Sequence, residues 1–246
     1  MANWNDTDQR QGFGSVPRAG DAVARQETFD AGLRKHMLSI YNYMTSGVLL
    51  TGVVALLAAQ SGLAVSFASG PLMWIVALAP LGFVLAMSFG LNKMSKGTPQ
   101  ILFWSFAIVM GLSMSTIFLR FTGESIAATF FATAGAFAGL SLFGYTTKKD
   151  LSGWGSFLVM GVIGILIAMV INIFLQSSTL TLAVSFIGVL IFAGLTAYDT
   201  QRLKREYQYL RGTEFAGKAV IMGALSLYLD FINMFLFLLR FMGSRE

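Results

Sequence analysis

The chain has 246 residues, 55% hydrophobic and 12% charged, with a net charge of +5. A soluble domain carries about 25% charged residues, so this balance, with a mean hydropathy of +0.68, reads as a polytopic membrane protein. With no cysteine and one histidine, His36, disulfides, thiolate metal sites, cysteine nucleophiles, His-rich zinc sites and an intramembrane Ser–His–Asp triad are excluded.

Residues 1–26 are polar, mixed in charge and without periodicity, and read as a disordered cytoplasmic tail. They lack the short apolar core and small-residue cleavage site of a signal peptide. Residues 27–36, ETFDAGLRKH, suit a short amphipathic helix lying on the membrane, with His36 as an interfacial residue rather than a ligand.

Seven apolar stretches follow, at 37–59, 72–91, 101–119, 125–144, 154–175, 180–198 and 219–239. Each is close to the roughly 20 residues that a spanning helix needs. The expected fold is therefore all-α, with seven transmembrane helices in one domain over 27–246. Most connections are short and imply antiparallel hairpins. The exception is 199–218, DTQRLKREYQYLRGTEFAGK, which is charged, rich in helix formers and suited to extending the sixth helix.

Lys and Arg counts set the orientation. With the N-terminus inside, the outer segments carry Arg120, Arg240 and Arg245, and the other 14 of 17 basic residues lie inside. That bias implies a cytoplasmic N-terminus in a plasma membrane, and basic loops that meet anionic lipid headgroups rather than nucleic acid. Seven full spans put the C-terminus outside, whereas a re-entrant last segment would return it.

Small residues recur at helix-packing spacing. Gly135 and Gly139 form a GxxxG in the fourth span beside Ala132 and Ala136, with Gly111 and Ser115 in the third and Gly161 and Gly164 in the fifth. Such faces let helix backbones approach closely and point to a compact bundle.

The last span, AVIMGALSLYLDFINMFLFLL, holds Asp230 near its middle. The other acids fall in the tail, in loops, at span ends or at the C-terminus. A carboxylate at that depth costs about 2.5–3.5 kcal/mol on insertion scales, which marks a functional site. On a helix, Gly223, Ser226, Asp230, Asn233, Phe237 and Arg240 share one face by steps of three and four. A single buried hydrogen bond that fixes packing is the plainer reading, but Asn or Ser would suffice for that.

Asp199, in GLTAYDTQRLK at the end of the sixth span, is the natural partner. If Lys218 marks membrane entry, Asp230 lies about 18 Å deeper along its helix. Hydropathy alone leaves Asp199 shallower. A direct pair needs the sixth helix to run on through Arg202; a water funnel from the cytoplasm would serve as well, and the sequence favours neither. Two carboxylates in a low-dielectric site cannot both ionise cheaply and titrate as a coupled pair. They can hold a shared proton or a cation, and oxygen ligands without His or Cys suit calcium or protons. Lys93 and Arg240 are the basic groups nearest the membrane that can pair with an aspartate. Asn172 in the fifth span either lines a conduction path or hydrogen-bonds a neighbouring helix, and the second use is favoured.

At GLTAYDTQRLK (194–204), GALSLYLDFINMFLFLLRFMG (223–243) and, more weakly, GLSMS (111–115), the chain resembles the bacterial branch of the Bax-inhibitor family of transmembrane proteins. The resemblance implies a seven-helix fold with the last helix central and a pH-sensitive calcium leak gated by an aspartate pair. By motif that pair falls on Asp199 and Asp230, with Tyr198, Ser226, Asn233 and Arg240 as supporting residues. Relatives are also described as stress-response proteins and as partners of membrane proteases. No cofactor, no catalytic residue and no metal beyond transient calcium is implied.

Two other readings compete. A Tyr-Asp in the sixth span and an Asp in the seventh are also found in intramembrane aspartyl proteases. Here, however, Asp230 sits in LYLDF without a Gly-Leu-Gly-Asp turn, and Pro17, Pro71, Pro80 and Pro99 all precede the motifs. A non-conducting membrane protein that modulates a protease or another partner is the remaining alternative, with the tail and the 202–218 loop as its contact surfaces.

Overall fold

The computed structural model describes residues 19–68, 70–90 and 97–244. The helices are α1 (Ala19–Gln60), α2 (Leu63–Phe67), α3 (Gly70–Gly90), α4 (Thr98–Met114), a 3-10 turn (Ser115–Leu119), α5 (Gly123–Thr146), α6 (Ser152–Leu175), α7 (Ser178–Leu210) and α8 (Ala216–Met242). Seven helical stretches among the described residues are long and apolar enough to cross a membrane, and they coincide with the seven expected spans.

The chain divides into units at 1–35 and 36–246. In the first unit α1 begins at Ala19, inside the stretch read as a tail, and residues 1–18 lie outside the described residues. Residues 27–36 are part of α1 rather than a separate interfacial helix. Gly32 offers the only weak point there, and one glycine costs about 1 kcal/mol relative to alanine, too little to end a helix among good helix formers.

In the second unit, α6 is apolar over nearly its whole girth, and Met160, Ile163, Leu166, Ile167 and Val170 are exposed along it. An apolar surface of that extent belongs against lipid. α8 is the opposite case: 67% of its spanning window is buried, against 11–44% for the other six. It packs most extensively on α7, then on α5, and touches α4.

The small-residue faces work differently from the GxxxG expectation. Gly135 and Gly139 have open space where a side chain would point, so that motif faces away from the bundle. Close approach occurs instead at Gly144, where a Cβ would collide with the Ala197 backbone of α7, and at Gly155, where it would meet the Tyr198 ring. Gly111 and Gly161 do press on neighbours, Val54 and Ile191 respectively, whereas Gly164 does not. Spacing identifies a small face, but which face meets a helix depends on the neighbour.

A buried hydrogen-bond chain fixes α8 from the other side. Thr51 of α1 donates to the Ala107 carbonyl of α4 at 2.8 Å and lies 2.6 Å from the Tyr228 hydroxyl of α8. Thr51 has one hydroxyl hydrogen, already used, so Tyr228 is the donor to Thr51. Phe103 and Phe106 meet the Tyr228 ring edge-on at 6.1 and 5.2 Å. Tyr228 is thus enclosed by apolar surface while its polar tip is satisfied.

Candidate functional site

The α7–α8 hairpin sets the depth of both acids. α7 does not stop where hydropathy falls but continues through the helix-forming DTQRLKREYQYL segment to Leu210. At 1.5 Å per residue, Asp199 lies about 16 Å from the hairpin end of α7, and Asp230 about 21 Å from the start of α8. In an antiparallel pair these depths differ by about one helical turn. Asp199 is 6% exposed and Asp230 4%, so the sixth helix has carried its acid below the surface.

The stripe expected on α8 is its edge toward α7. Gly223 admits Leu203, Ser226 meets Arg202, and Phe237 stacks on Phe192 at 5.8 Å above Gly188. Not every stripe residue joins the acids. Asn233 turns its amide back to the Leu229 carbonyl of its own helix at 2.8 Å. Arg240 lies ten residues beyond Asp230, about 15 Å along the helix, and is not a partner of the pair.

The basic partner is Arg202, one turn after Asp199. Its Nη1 lies 3.1 Å from Asp199 Oδ1, its Nε 3.3 Å from Glu206 Oε1, and its Nη2 donates to Ser226 Oγ at 3.1 Å. Tyr198 lies under the guanidinium, with its ring centroid 5.8 Å from Arg202 Cζ. One cation therefore serves two acids of α7 and reaches across to α8. Asp199 and Arg202 are also the charged groups that act electrostatically on Asp230. Asp230 Oδ2 is fully buried and has no hydrogen-bond partner among the described residues. An orphaned carboxylate oxygen is costly in such surroundings and calls for an explanation.

The opposite face of α7 clamps the α5–α6 connection. Gln201 donates to the Lys149 carbonyl at 2.8 Å and accepts from the Leu151 amide at 2.9 Å. Lys204 donates to the Tyr145 carbonyl near the end of α5 at 2.9 Å. Arg205 reaches Asp150 Oδ1 and Ser152 Oγ, both at 2.6 Å. Ser152 and Arg205 together hold the Asp150 carboxyl down from its usual 3.8 to about 2. On a helix, 199, 202 and 206 form one line and 201, 204 and 205 another. The same turns thus carry the acid pair inward and brace the loop outward.

Sequence reasoning placed Arg202 in a segment suited to extending the sixth helix and in a candidate contact loop, and gave it no role as a counter-ion. Its spacing of three from Asp199 and four to Glu206 is a helical ion-pair pattern that pointed to the role. Lys93, the other basic candidate, lies outside the described residues. Asn172 donates to Thr181 of α7 at 2.7 Å and accepts from the Ser177 amide at 3.0 Å, the helix-to-helix use that was favoured. Among the described residues no three His, Asp or Glu side chains converge.

A helical bundle with seven candidate spans, two buried carboxylates and a last helix that is the most enclosed of the seven has the architecture of an integral membrane protein. The sequence profile described as "Inhibitor of apoptosis-promoting Bax1" matches residues 33–246. The chain belongs to the Bax inhibitor family. It is 49% identical over 231 residues to an uncharacterized protein of Caulobacter vibrioides, covering 88% of this chain and 91% of the relative. It is 46% identical over 226 residues to an uncharacterized protein of Rickettsia prowazekii, covering 91% and 95%. The inner membrane protein YbhL of Escherichia coli is 46% identical over 220 residues, covering 88% and 94%.

Proposed function

We propose that the chain is a pH-responsive calcium leak pathway of a bacterial inner membrane, gated by Asp199 and Asp230 with Arg202 as their shared counter-ion. The observation that supports it best is the buried, unpartnered Asp230 Oδ2 beside a guanidinium already engaged by Asp199. One cation cannot neutralise two carboxylates, so the cluster exchanges a proton or a cation with water as its contacts change. Two carboxylates fall well short of the six to eight oxygens of a resident calcium site, which suits transit rather than storage.

In this reading water and ions enter from the Arg202 end, and the bias of basic residues toward that end supports reading it as the cytoplasmic one. The closed arrangement holds α7 to α8 through Arg202–Ser226 and fills the next two turns with Phe192 and Phe237. A change of protonation breaks the Arg202 bridge, and the hairpin then loosens where the Phe stack closes it. The reading assigns the chain no catalytic residue.

The test is calcium flux into liposomes holding the full chain, across a pH series. Wild type is expected to leak calcium with a pH dependence that Asp199→Asn and Asp230→Asn each flatten. Identical flux and pH profile in all three proteins would remove the gating role and leave a non-conducting partner of other membrane proteins as the reading to pursue.

A further inference from the structure

At the end of the α7–α8 hairpin opposite Arg202 lies a cleft of about 530 Å³, and Arg120 and Arg240 both line it. This end of the bundle is poor in cations: in the sequence only Arg120, Arg240 and Arg245 flank spans on that side, and Arg245 lies outside the described residues. Two of these converge on one cleft. They are close enough for the charge of Arg120 to act on Arg240. Among the described residues neither forms an ion pair with an acid; Arg240 lies over the Phe237 ring, 6.0 Å from its centroid.

Backbone contacts hold the two guanidinium groups together against their repulsion. The Thr122 amide donates to the Ser244 carbonyl at 3.2 Å, and the Ser244 amide donates to Ser125 Oγ at 2.9 Å. These bonds tie the segment after Arg120 to the chain just past Arg240. The other polar lining residues are Asn172, Thr181 and Ser185, and the Asn172–Thr181 bond uses one of the two amide hydrogens of Asn172. Among the described residues no carboxylate lines the cleft, and its donors are two guanidinium groups and neutral side chains. Leu119, Met169 and Ile173 supply apolar lining.

We propose that this cleft binds a phosphate-type oxyanion between Arg120 and Arg240. Guanidinium forks match phosphate oxygens two at a time, and a bound anion converts a repulsive cation pair into a bridged one. Two sources can present that chemistry, a free phosphate in the aqueous phase and the headgroup of an anionic phospholipid. The proposal is independent of the aspartate pair, about 15 Å away along α8.

The test uses the full chain in a neutral detergent, with native mass spectrometry and thermal unfolding as readouts. Phosphatidylglycerol, phosphatidylcholine and inorganic phosphate are the probes. Wild type should retain or be stabilised by phosphatidylglycerol or inorganic phosphate, and not by phosphatidylcholine. Arg120→Gln and Arg240→Gln should each weaken this roughly tenfold, the scale of one lost charge-assisted hydrogen bond. Lys148→Gln, at the other end of the bundle, should leave it unchanged. Stabilisation by inorganic phosphate alone identifies a soluble anion, and a response confined to phosphatidylglycerol identifies a lipid. Without any anion, the double variant should melt no lower than wild type, because it has lost a repulsion; this also shows that it folds. The proposal is overturned if wild type discriminates among none of the probes, or if the double variant discriminates as wild type does.

Discussion

Arg202 of α7 donates a hydrogen bond across the hairpin to Ser226 of α8, one turn before Asp230. The same guanidinium holds Asp199 at 3.1 Å. It follows that Arg202→Gln leaves Asp199 without its counter-ion and removes the bond to α8, with two acids still buried on the adjacent helices. Breaking a buried pair costs about 3–5 kcal/mol, and partial exposure of the Arg202 side chain reduces this to about 1–3 kcal/mol here. Unfolding in detergent should show that loss, and Asp199→Asn in the same chain should recover part of it. Equal stability of Arg202→Gln and wild type would mean that the guanidinium is not the counter-ion.

The Thr51–Tyr228 bond gives an ordered pair of effects. Tyr228→Phe removes the donor and leaves Thr51 still bonded to Ala107, so it should cost about 1 kcal/mol. Thr51→Val orphans the Tyr228 hydroxyl, while the Ala107 carbonyl keeps its bond within α4, and should cost about 1–3 kcal/mol. The double variant should cost little more than Thr51→Val, because both substitutions break the same bond. Additive losses in chemical unfolding would show that the two residues act separately.

Glycine substitution separates the two kinds of small residue. Gly144→Ala places a methyl against the Ala197 backbone and should cost about 1–3 kcal/mol, with some parting of α5 from α7. Gly135→Ala and Gly139→Ala meet open space and should change stability by no more than about 0.5 kcal/mol. Reversed ranking in thermal unfolding would restore the GxxxG as the packing face.

The Asp150 clamp predicts an acid limit for the α5–α6 connection. Its carboxyl sits at about 2 in the folded chain against an ordinary 3.8. The folded value is depressed, so its contribution is present above the ordinary value and is lost as pH falls through the folded one. Hydrogen exchange at 149–152 should accordingly rise between about 3.8 and about 2 in wild type. In Asp150→Asn exchange should already be raised at neutral pH and show no step in that window.

The seven spans and the burden on Asp230 were legible because length, hydropathy and a lone acid are properties of single segments. The depth of Asp199 was left open, because it depends on how far α7 persists through polar sequence, which the helix formers of 199–218 suit but hydropathy does not register. Arg240 fell on the right face of α8 but at the wrong height, since periodicity reports angle and leaves distance along the axis to be counted. The GxxxG at Gly135 and Gly139 misled for a related reason. A small face shows where a helix can approach, and the partner helix is set by contacts remote in sequence. Tyr228 was invisible because an aromatic in an apolar run gives no sign that its hydroxyl has a bond.

The coupling of Asp199 with Asp230 is the claim on which the functional reading stands. Infrared difference spectroscopy of the carboxyl stretch, followed through a pH titration of wild type, Asp199→Asn and Asp230→Asn, measures it directly. The account predicts that removing either aspartate displaces the titration of the one that remains. If each aspartate titrates at the same pH whether or not the other is present, the two are independent and the account is wrong.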